Sequence, residues 1–250
     1  MRSPVNIEEY VRMSDLESRH FWFIGRKNII QSLLTKTLGQ NRHGDLLILD
    51  AGCGTGGNLP WLSSLGQVVG IDFNEVACSL SAEKSASVIR ASLPEGLPFK
   101  AESFDLITLL DVLEHLEKDL ETLRQLREKL KPGGRMLITV PAYMHLWSGH
   151  DVVHHHKRRY LKNQLHELLT SSGLAVDYLS YYNTLLYPLV AMKRLLSRST
   201  HTEPAGDLKL PSPIINSLLY QIFSLEKHWI GKLNSPFGVS LVALAQRKMQ

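Results

Sequence analysis

Short apolar runs recur along the 250-residue chain, and between them lie segments whose apolar positions repeat every three to four residues. Runs of the first kind suit strands buried on both faces, and segments of the second kind suit amphipathic helices. The alternation predicts an α/β fold with a mostly parallel sheet covered by helices on both faces. Strands are expected at Leu46–Asp50, Gln67–Asp72, Ser87–Ala91, Phe104–Leu110, Arg135–Val140, Leu174–Ser180 and Val239–Ala245. Between the fourth and fifth, Leu116, Leu120, Leu123, Leu126 and Leu130 form one helical stripe flanked by Glu117, Lys118, Glu121, Arg124 and Lys131, and Pro132-Gly133-Gly134 stops it. A helix over Lys162–Ser171 ends at Gly173. There is no internal repeat and no low-complexity tract.

The pattern departs from this rhythm at two places. His20-Phe21-Trp22-Phe23-Ile24-Gly25-Arg26 sets three aromatics beside a cation, either as a lid over a ligand or as a helix-packing patch. The connection from Tyr181 to Phe237 is unusually long. It holds one apolar helix pattern over Tyr182–Leu196, a linker-like piece at Thr202–Pro213 and a second helix pattern over Ile214–Ile230. Capping of an acceptor pocket is the expected role, with dimerisation or contact with an anionic membrane surface as alternatives. The expected organisation is one domain over residues 1–250. Residues 1–44 form a helical lid, 45–180 the ligand-binding core, 181–237 the helical cap and 238–250 the final strand.

Composition changes this picture little. With 44% hydrophobic and 21% charged residues the chain is ordinary globular material, and a net charge of +4 is too diffuse to name a partner. Its two cysteines, Cys53 and Cys78, give no disulfide framework and fit a reducing compartment. The first residues lack the apolar core of a signal peptide, and no run of apolar residues is long enough to span a bilayer. A cytoplasmic protein is expected, with peripheral contact at the inner face of a membrane left open for the helices after residue 181.

The candidate chemistry begins at Leu46–Leu59, where an apolar run closes on Asp50 and turns through Gly52, Gly54 and Gly56, and continues at Gln67–Asp72, which again ends in an acid. Such a strand delivers a nucleoside-type ligand to a glycine-lined loop. Gly52, Gly54 and Gly57 also satisfy the dinucleotide fingerprint, with Asp72 at its usual distance. Asp50 separates the readings, because a carboxylate at the strand end repels a pyrophosphate and attracts an ammonium. Here the chain resembles the class I S-adenosylmethionine-dependent methyltransferases. Their first motif, an acid, any residue, then Gly-x-Gly-x-Gly, is matched by Asp50, Gly52, Gly54 and Gly56. Leu97-Pro98-Phe99, Ser103–Ile107, Asp111–Leu116 and Leu130–Arg135 are similar to the later motifs, in order, so that the likeness covers about Leu46 to Pro141.

The resemblance implies a Rossmann-like seven-stranded sheet with its last strand antiparallel, and S-adenosyl-L-methionine as cofactor. Asp50 would hold the methionine ammonium, and Asp72 would accept from both ribose hydroxyls. Phe73 would flank the adenine, and Ser92 would stand in for a more usual acid near it. Asp111 and Val112 would border the methyl donor, and Cys53 falls within the loop, more as a packing residue than a nucleophile. His115 and His150 are candidate acid–base residues, an imidazole being suited to deprotonate an acceptor, although His115 also sits where a helix begins. Asp105 reads as structural. A narrower likeness to bacterial enzymes of glycan or lipid-linked pathways rests on the aromatic patch and on His150–Tyr160.

That second stretch, His150-Asp151-Val152-Val153-His154-His155-His156-Lys157-Arg158-Arg159-Tyr160, is the densest polar cluster. It reads as a site for an anionic group gripped by arginine, as solvated basic surface or a loop anchor, or, least favoured, as a metal site, since consecutive histidines lack zinc-ligand spacing. No metal is expected. Trp22, Arg26, His155, His156, Arg159 and Tyr160 are the candidate acceptor contacts. The expected function is methyl transfer to a small-molecule, glycan or lipid-linked acceptor, with a nicotinamide-dependent enzyme or a silent nucleotide-binding module as alternatives. Leu110–Leu113 stands where nucleic-acid amino methyltransferases carry an Asn/Asp-Pro-Pro-aromatic motif, so a nucleic-acid partner is not expected. These motifs specify neither the acceptor atom nor an oligomeric state.

Overall fold

The computed structural model describes residues 7–38, 45–84, 87–198 and 209–249. Parts of the expected lid, residues 1–6 and 39–44, and most of the expected linker at Thr202–Pro213 lie outside the described residues. Seven strands form one sheet: β1 (Leu46–Ala51), β2 (Gly66–Asp72), β3 (Val88–Arg90), β4 (Phe104–Leu110), β5 (Leu130–Pro141), β6 (Leu174–Tyr182) and β7 (Ser240–Arg247). Their order is β3-β2-β1-β4-β5-β7-β6. β1 to β5 run parallel, and β7 enters antiparallel between β5 and β6. All seven strands fall where the apolar runs placed them, and the antiparallel last strand is as the resemblance implied.

The helices are α1 (Ile7–Arg19), α2 (Phe21–Leu38), α3 (Leu59–Leu62), α4 (Glu75–Ala82), α5 (Asp119–Lys129), α6 (Gly149–Val153), α7 (Lys162–Ser171), α8 (Tyr187–Arg198) and α9 (Pro213–Ser224). Because strand side chains alternate, the sheet divides its apolar residues between two cores. Leu49, Ile107, Leu109 and Ala243 face α5 and α7, and Ile48, Leu106, Leu110 and Val242 face α2 and α9. Burial of both sheet faces explains why the parallel strands read as continuous apolar runs.

Two boundaries differ from the sequence expectation. The Leu-striped helix starts at Asp119, while Leu113–His115 form a separate 3-10 turn. Asp119 and Glu121 open α5, and Arg127 and Lys129 close it, which complements the helix dipole. β5 begins at Leu130, upstream of the expected Arg135. Leu130 already pairs with Phe104, and the chain then kinks through Gly133 at φ 76° while the pairing register shifts.

The additions at both ends pack together: α9 lies on α2, and Phe223 sits against Gly25, where a Cβ would meet its ring at 2.5 Å. Glu226, just after α9 and fully buried, accepts the amides of Asn183, Thr184 and Leu185 at 2.7, 2.6 and 3.0 Å. That carboxylate satisfies the orphan donors where the chain leaves β6. α8 is different. Leu189, Met192, Leu195 and Leu196 are exposed, so this helix keeps an apolar face in solvent.

Candidate active site

Ligands collect at the carboxyl edge of an open α/β sheet, and here that edge is formed by the ends of β1, β2 and β4. After β1 the amides of Gly52 and Cys53 both donate to the Ile71 carbonyl at 2.8 Å, which ties the loop to β2. Gly52, Gly54 and Gly56 take φ values of 79°, 55° and 83°, a region open to glycine at no steric cost. At Gly52 a side chain would strike Val112 Cγ2 at 2.6 Å, so the end of β4 closes directly on the loop. In front of Gly54 there is open space within 4 Å.

Asp72 ends β2 and braces this loop. Its Oδ2 accepts the Gly54 amide at 3.0 Å and its Oδ1 accepts the Asn74 amide at 2.8 Å, while Asn74 caps α4 through Val76 and Ala77. Burial raises the Asp72 pKa, and the backbone amides oppose that rise. Each carboxylate oxygen keeps a lone pair, which suits a vicinal diol.

Asp50 is 1% exposed. Thr108 Oγ1 donates to its Oδ1 at 2.6 Å, and Oδ2 has no hydrogen-bond partner. Burial pushes its pKa up to about 6, against the pull of Thr108 and of the Arg26 charge. A buried, unpartnered carboxylate oxygen is costly in a finished fold and is satisfied by a cationic donor such as an ammonium. The residues present therefore fit an amino-acid-bearing nucleoside better than a pyrophosphate.

A family model described as a methyltransferase domain matches residues 49–138, the stretch that contains this loop, both acids and β4. A demethylmenaquinone methyltransferase of Staphylococcus aureus is 30% identical over 155 residues, 56% of this chain and 61% of that protein. Residues 49–138 thus carry a methyltransferase domain, and the chain is similar to S-adenosylmethionine-dependent methyltransferases. It spans about three fifths of the length of the curated relatives it matches. Among solved structures, the protein bound to the Haloferax volcanii Trm112 methyltransferase activator aligns with a TM-score of 0.63 at 16% identity, covering 97% of this chain and 96% of that one. The [4+2]-cyclase SpnF aligns with a TM-score of 0.58 at 18% identity, covering 89% and 81%. Identities this low show the fold alone.

The other expected cofactor contacts divide. Phe73 is 46% exposed at the mouth of the loop, and Ser92 is exposed just beyond β3. The Cys53 side chain is buried, with Sγ 3.8 Å from Ser81 Oγ, and burial pushes the thiol pKa upward. Its packing against Gly70 is the reason, and only its backbone remains for a ligand.

α1 and α2 come down on the same edge. Glu17 accepts from Thr55 Oγ1 at 2.7 Å and pairs with Lys84 at 3.1 Å, placing α1 over the glycine loop. Arg26 of α2 lies 4.6 Å from the Trp22 ring centre and pairs with Asp111, which carries φ 58° at the end of β4. Burial opposes the Arg26 charge, but Asp111 and other nearby acids hold its pKa above the ordinary value. The sequence reading makes Arg26 an acceptor contact. Its charge is instead spent on Asp111, where it fixes α2 against β4.

In the His/Arg cluster the arginines follow the loop-anchoring alternative and not the anion site. Arg159 is 7% exposed; its Nε and Nη2 fork onto Asp151 at 2.7 and 3.0 Å, and Nη1 donates to the Ala142 carbonyl at 3.1 Å. Tyr160 is buried and donates to Asp119 Oδ2 at 3.1 Å. Arg158 pairs with Asp119 at 2.8 Å and Lys157 with Glu117 at 2.9 Å. The cations thus meet acids from α6, from α5 and from the stretch just before α5, and the expected anion site is a set of internal ion pairs. His155 is exposed at φ 55°. His156 Nδ1 lies 2.8 Å from Asp151 Oδ1.

His115 and His156 stack edge to face at 4.7 Å, and His150 lies 5.9 Å from His156. Burial, then the His156 charge, draws the His115 pKa down to about 4. A base so far below neutral pH takes a proton weakly, so His115 suits a neutral partner better than a general base. Sequence reasoning missed Thr108, Glu17, Asp151 and Glu114. Thr108 left a signal as a polar residue within the apolar run Leu106–Leu110, and Asp151 as the one acid in the His150–Tyr160 stretch.

Proposed function

We propose that this chain binds S-adenosylmethionine on the Gly52–Gly56 loop and transfers its methyl group to a small organic acceptor with an apolar or lipid-linked portion. The carrying observation is the buried Asp50 carboxylate with Oδ2 open, at the end of the strand beside the one that Asp72 closes. Asp50 supplies charge for the methionine ammonium, Asp72 accepts from the ribose diol, and Val112 abuts the loop where the donor would lie. S-adenosylmethionine brings a methyl group already activated on a sulfonium. The protein's share is therefore placement of the acceptor in line, worth up to about 7–11 kcal/mol, and exclusion of water by α1 and α2.

Two observations support an apolar acceptor. One Staphylococcus aureus relative is a demethylmenaquinone methyltransferase. The exposed apolar face of α8 follows β6 at the same end of the sheet and offers a surface for a hydrophobic tail, with contact at a membrane face as its extension. No helix among the described residues is long and apolar enough to cross a membrane.

Calorimetry with S-adenosylmethionine and with NAD tests the cofactor half. Micromolar binding of the first, lost in Asp72→Ala, is expected, and selective binding of NAD would sink the reading. Incubation with labelled S-adenosylmethionine and fractionated small molecules tests the acceptor half, with label expected in the organic-soluble fraction.

A further inference from the structure

Beside the proposed methyl-donor site, the 3-10 turn after β4 holds a carboxylate that methyl transfer does not use. Glu114 is fully buried, and neither of its carboxylate oxygens has a hydrogen-bond partner. The nearby cations offer no relief, since Arg26 is committed to Asp111 and Arg159 to Asp151. An isolated buried carboxylate either stays protonated or meets a cation that the protein chain itself does not provide.

The same turn and the loop after α6 bring nitrogen ligands to this carboxylate. One ligand atom each from Glu114, His115 and His156 lie within 4.8 Å of one another. Oxygen and imidazole ligands bind zinc at about 2.0–2.2 Å, so modest side-chain rotation closes such a group around one ion. His156 is also prepared for the role. Asp151 is fully buried and held by the Arg159 fork; an ionised carboxylate only accepts, so His156 Nδ1 carries the proton it donates. That fixes the tautomer and leaves Nε2 with its lone pair, the carboxylate–histidine arrangement found behind metal ligands.

We propose that Glu114, His115 and His156 bind one divalent transition-metal ion of the zinc type, with Asp151 as the outer partner that orients His156. Two imidazoles and one carboxylate favour zinc over magnesium, which prefers an all-oxygen shell, and they leave a coordination position for water or an acceptor oxygen. With Arg26 paired to Asp111 and Arg159 to Asp151, Glu114 is left without a counter-charge, so a dication finds net attraction. The sequence hid the site because its third ligand lies 41 residues beyond the second, inside a histidine run that by itself has the wrong spacing.

The test uses the tag-free full-length chain stripped with EDTA, titrated with Zn²⁺ against a chromogenic chelator and with Co²⁺ followed by visible absorption. One zinc per chain with submicromolar affinity is expected, with magnesium failing to compete at millimolar concentration. Glu114→Gln and His156→Ala each weaken zinc binding at least tenfold. Asp151→Asn weakens it by about 10–100-fold through His156, as outer partners do. Glu114→Gln removes an uncompensated buried charge at constant shape, so its metal-free melting temperature is expected to match or exceed that of the parent, which separates loss of a ligand from loss of fold. His154→Ala combined with His155→Ala leaves the affinity within twofold. The proposal is overturned if zinc does not bind at 100 μM, if Glu114→Gln binds as tightly as the parent, or if the His154/His155 pair carries the affinity. Zinc binding is read without S-adenosylmethionine, so failure of the cofactor assignment leaves this result standing.

Discussion

The carboxyl edge of the sheet has two halves built on opposite plans. On the β1–β2 side, the glycine loop, Asp50 and Asp72 lie within 23 residues of sequence, and their polar atoms are left partly open. On the β5 side, Asp151 closes on His156 and Arg159, and Asp119 from α5 receives Arg158 and Tyr160, while Glu114 keeps its oxygens open at the proposed metal site. Openness of polar atoms, more than abundance of charge, marks the half that waits for a ligand. The cations and Tyr160 of the densest basic stretch turn out to be scaffold.

The largest effect that would break this comparison is at Asp151. Removing it in Asp151→Ala strands the buried Arg159 guanidinium, and a loss of about 3–5 kcal/mol is expected in chemical denaturation. If stability is unchanged, the cluster is not internal scaffold. On the open side, Asp72→Ala is expected to cost about 100-fold in S-adenosylmethionine affinity by calorimetry, since it removes the diol acceptor and loosens Gly54 together. An equal loss in stability with no loss of affinity would make Asp72 a brace only.

Asp50→Asn sharpens the contrast because it moves the two properties in opposite directions. The folded pKa of about 6 stands above the ordinary value of 3.8, so the folded chain binds more protons between those values. Asp50 therefore favours folding at acid pH, and that contribution is lost as pH rises through about 6. Above pH 6, Asp50→Asn is expected to stabilise the cofactor-free chain by up to roughly 3 kcal/mol while weakening S-adenosylmethionine about tenfold. By the same linkage, cofactor affinity of the parent falls as pH drops below about 6, and the Asp50→Asn variant loses that slope in a pH series of titrations. Lys157→Ala, at a solvent-exposed pair with Glu117, is expected to change stability by less than about 1 kcal/mol. A large effect there would mean the outer rim is part of the site.

What the sequence disclosed follows the same division. Strand positions, the glycine turn and the two strand-end acids are local patterns, and each stands where its run of residues placed it. The destination of Arg159 was illegible because nothing near it says that Asp151 folds back beneath it while Asp119, on another element, receives Arg158 and Tyr160. Arg26 misled for the same reason: its partner Asp111 is 85 residues away. Burial can turn a reactive-looking side chain into a strut, and composition is blind to burial.

Among the described residues β6 touches the sheet only through β7, so a strand made after both of its neighbours works as a keystone between them. While the polypeptide emerges from the ribosome, β5 offers an unpaired margin and β6 has nowhere to dock. Both wait until residues 240–247 arrive. Loss of those few residues by premature termination would cost two strands rather than one, and would leave a sticky flank exposed to every other nascent chain nearby.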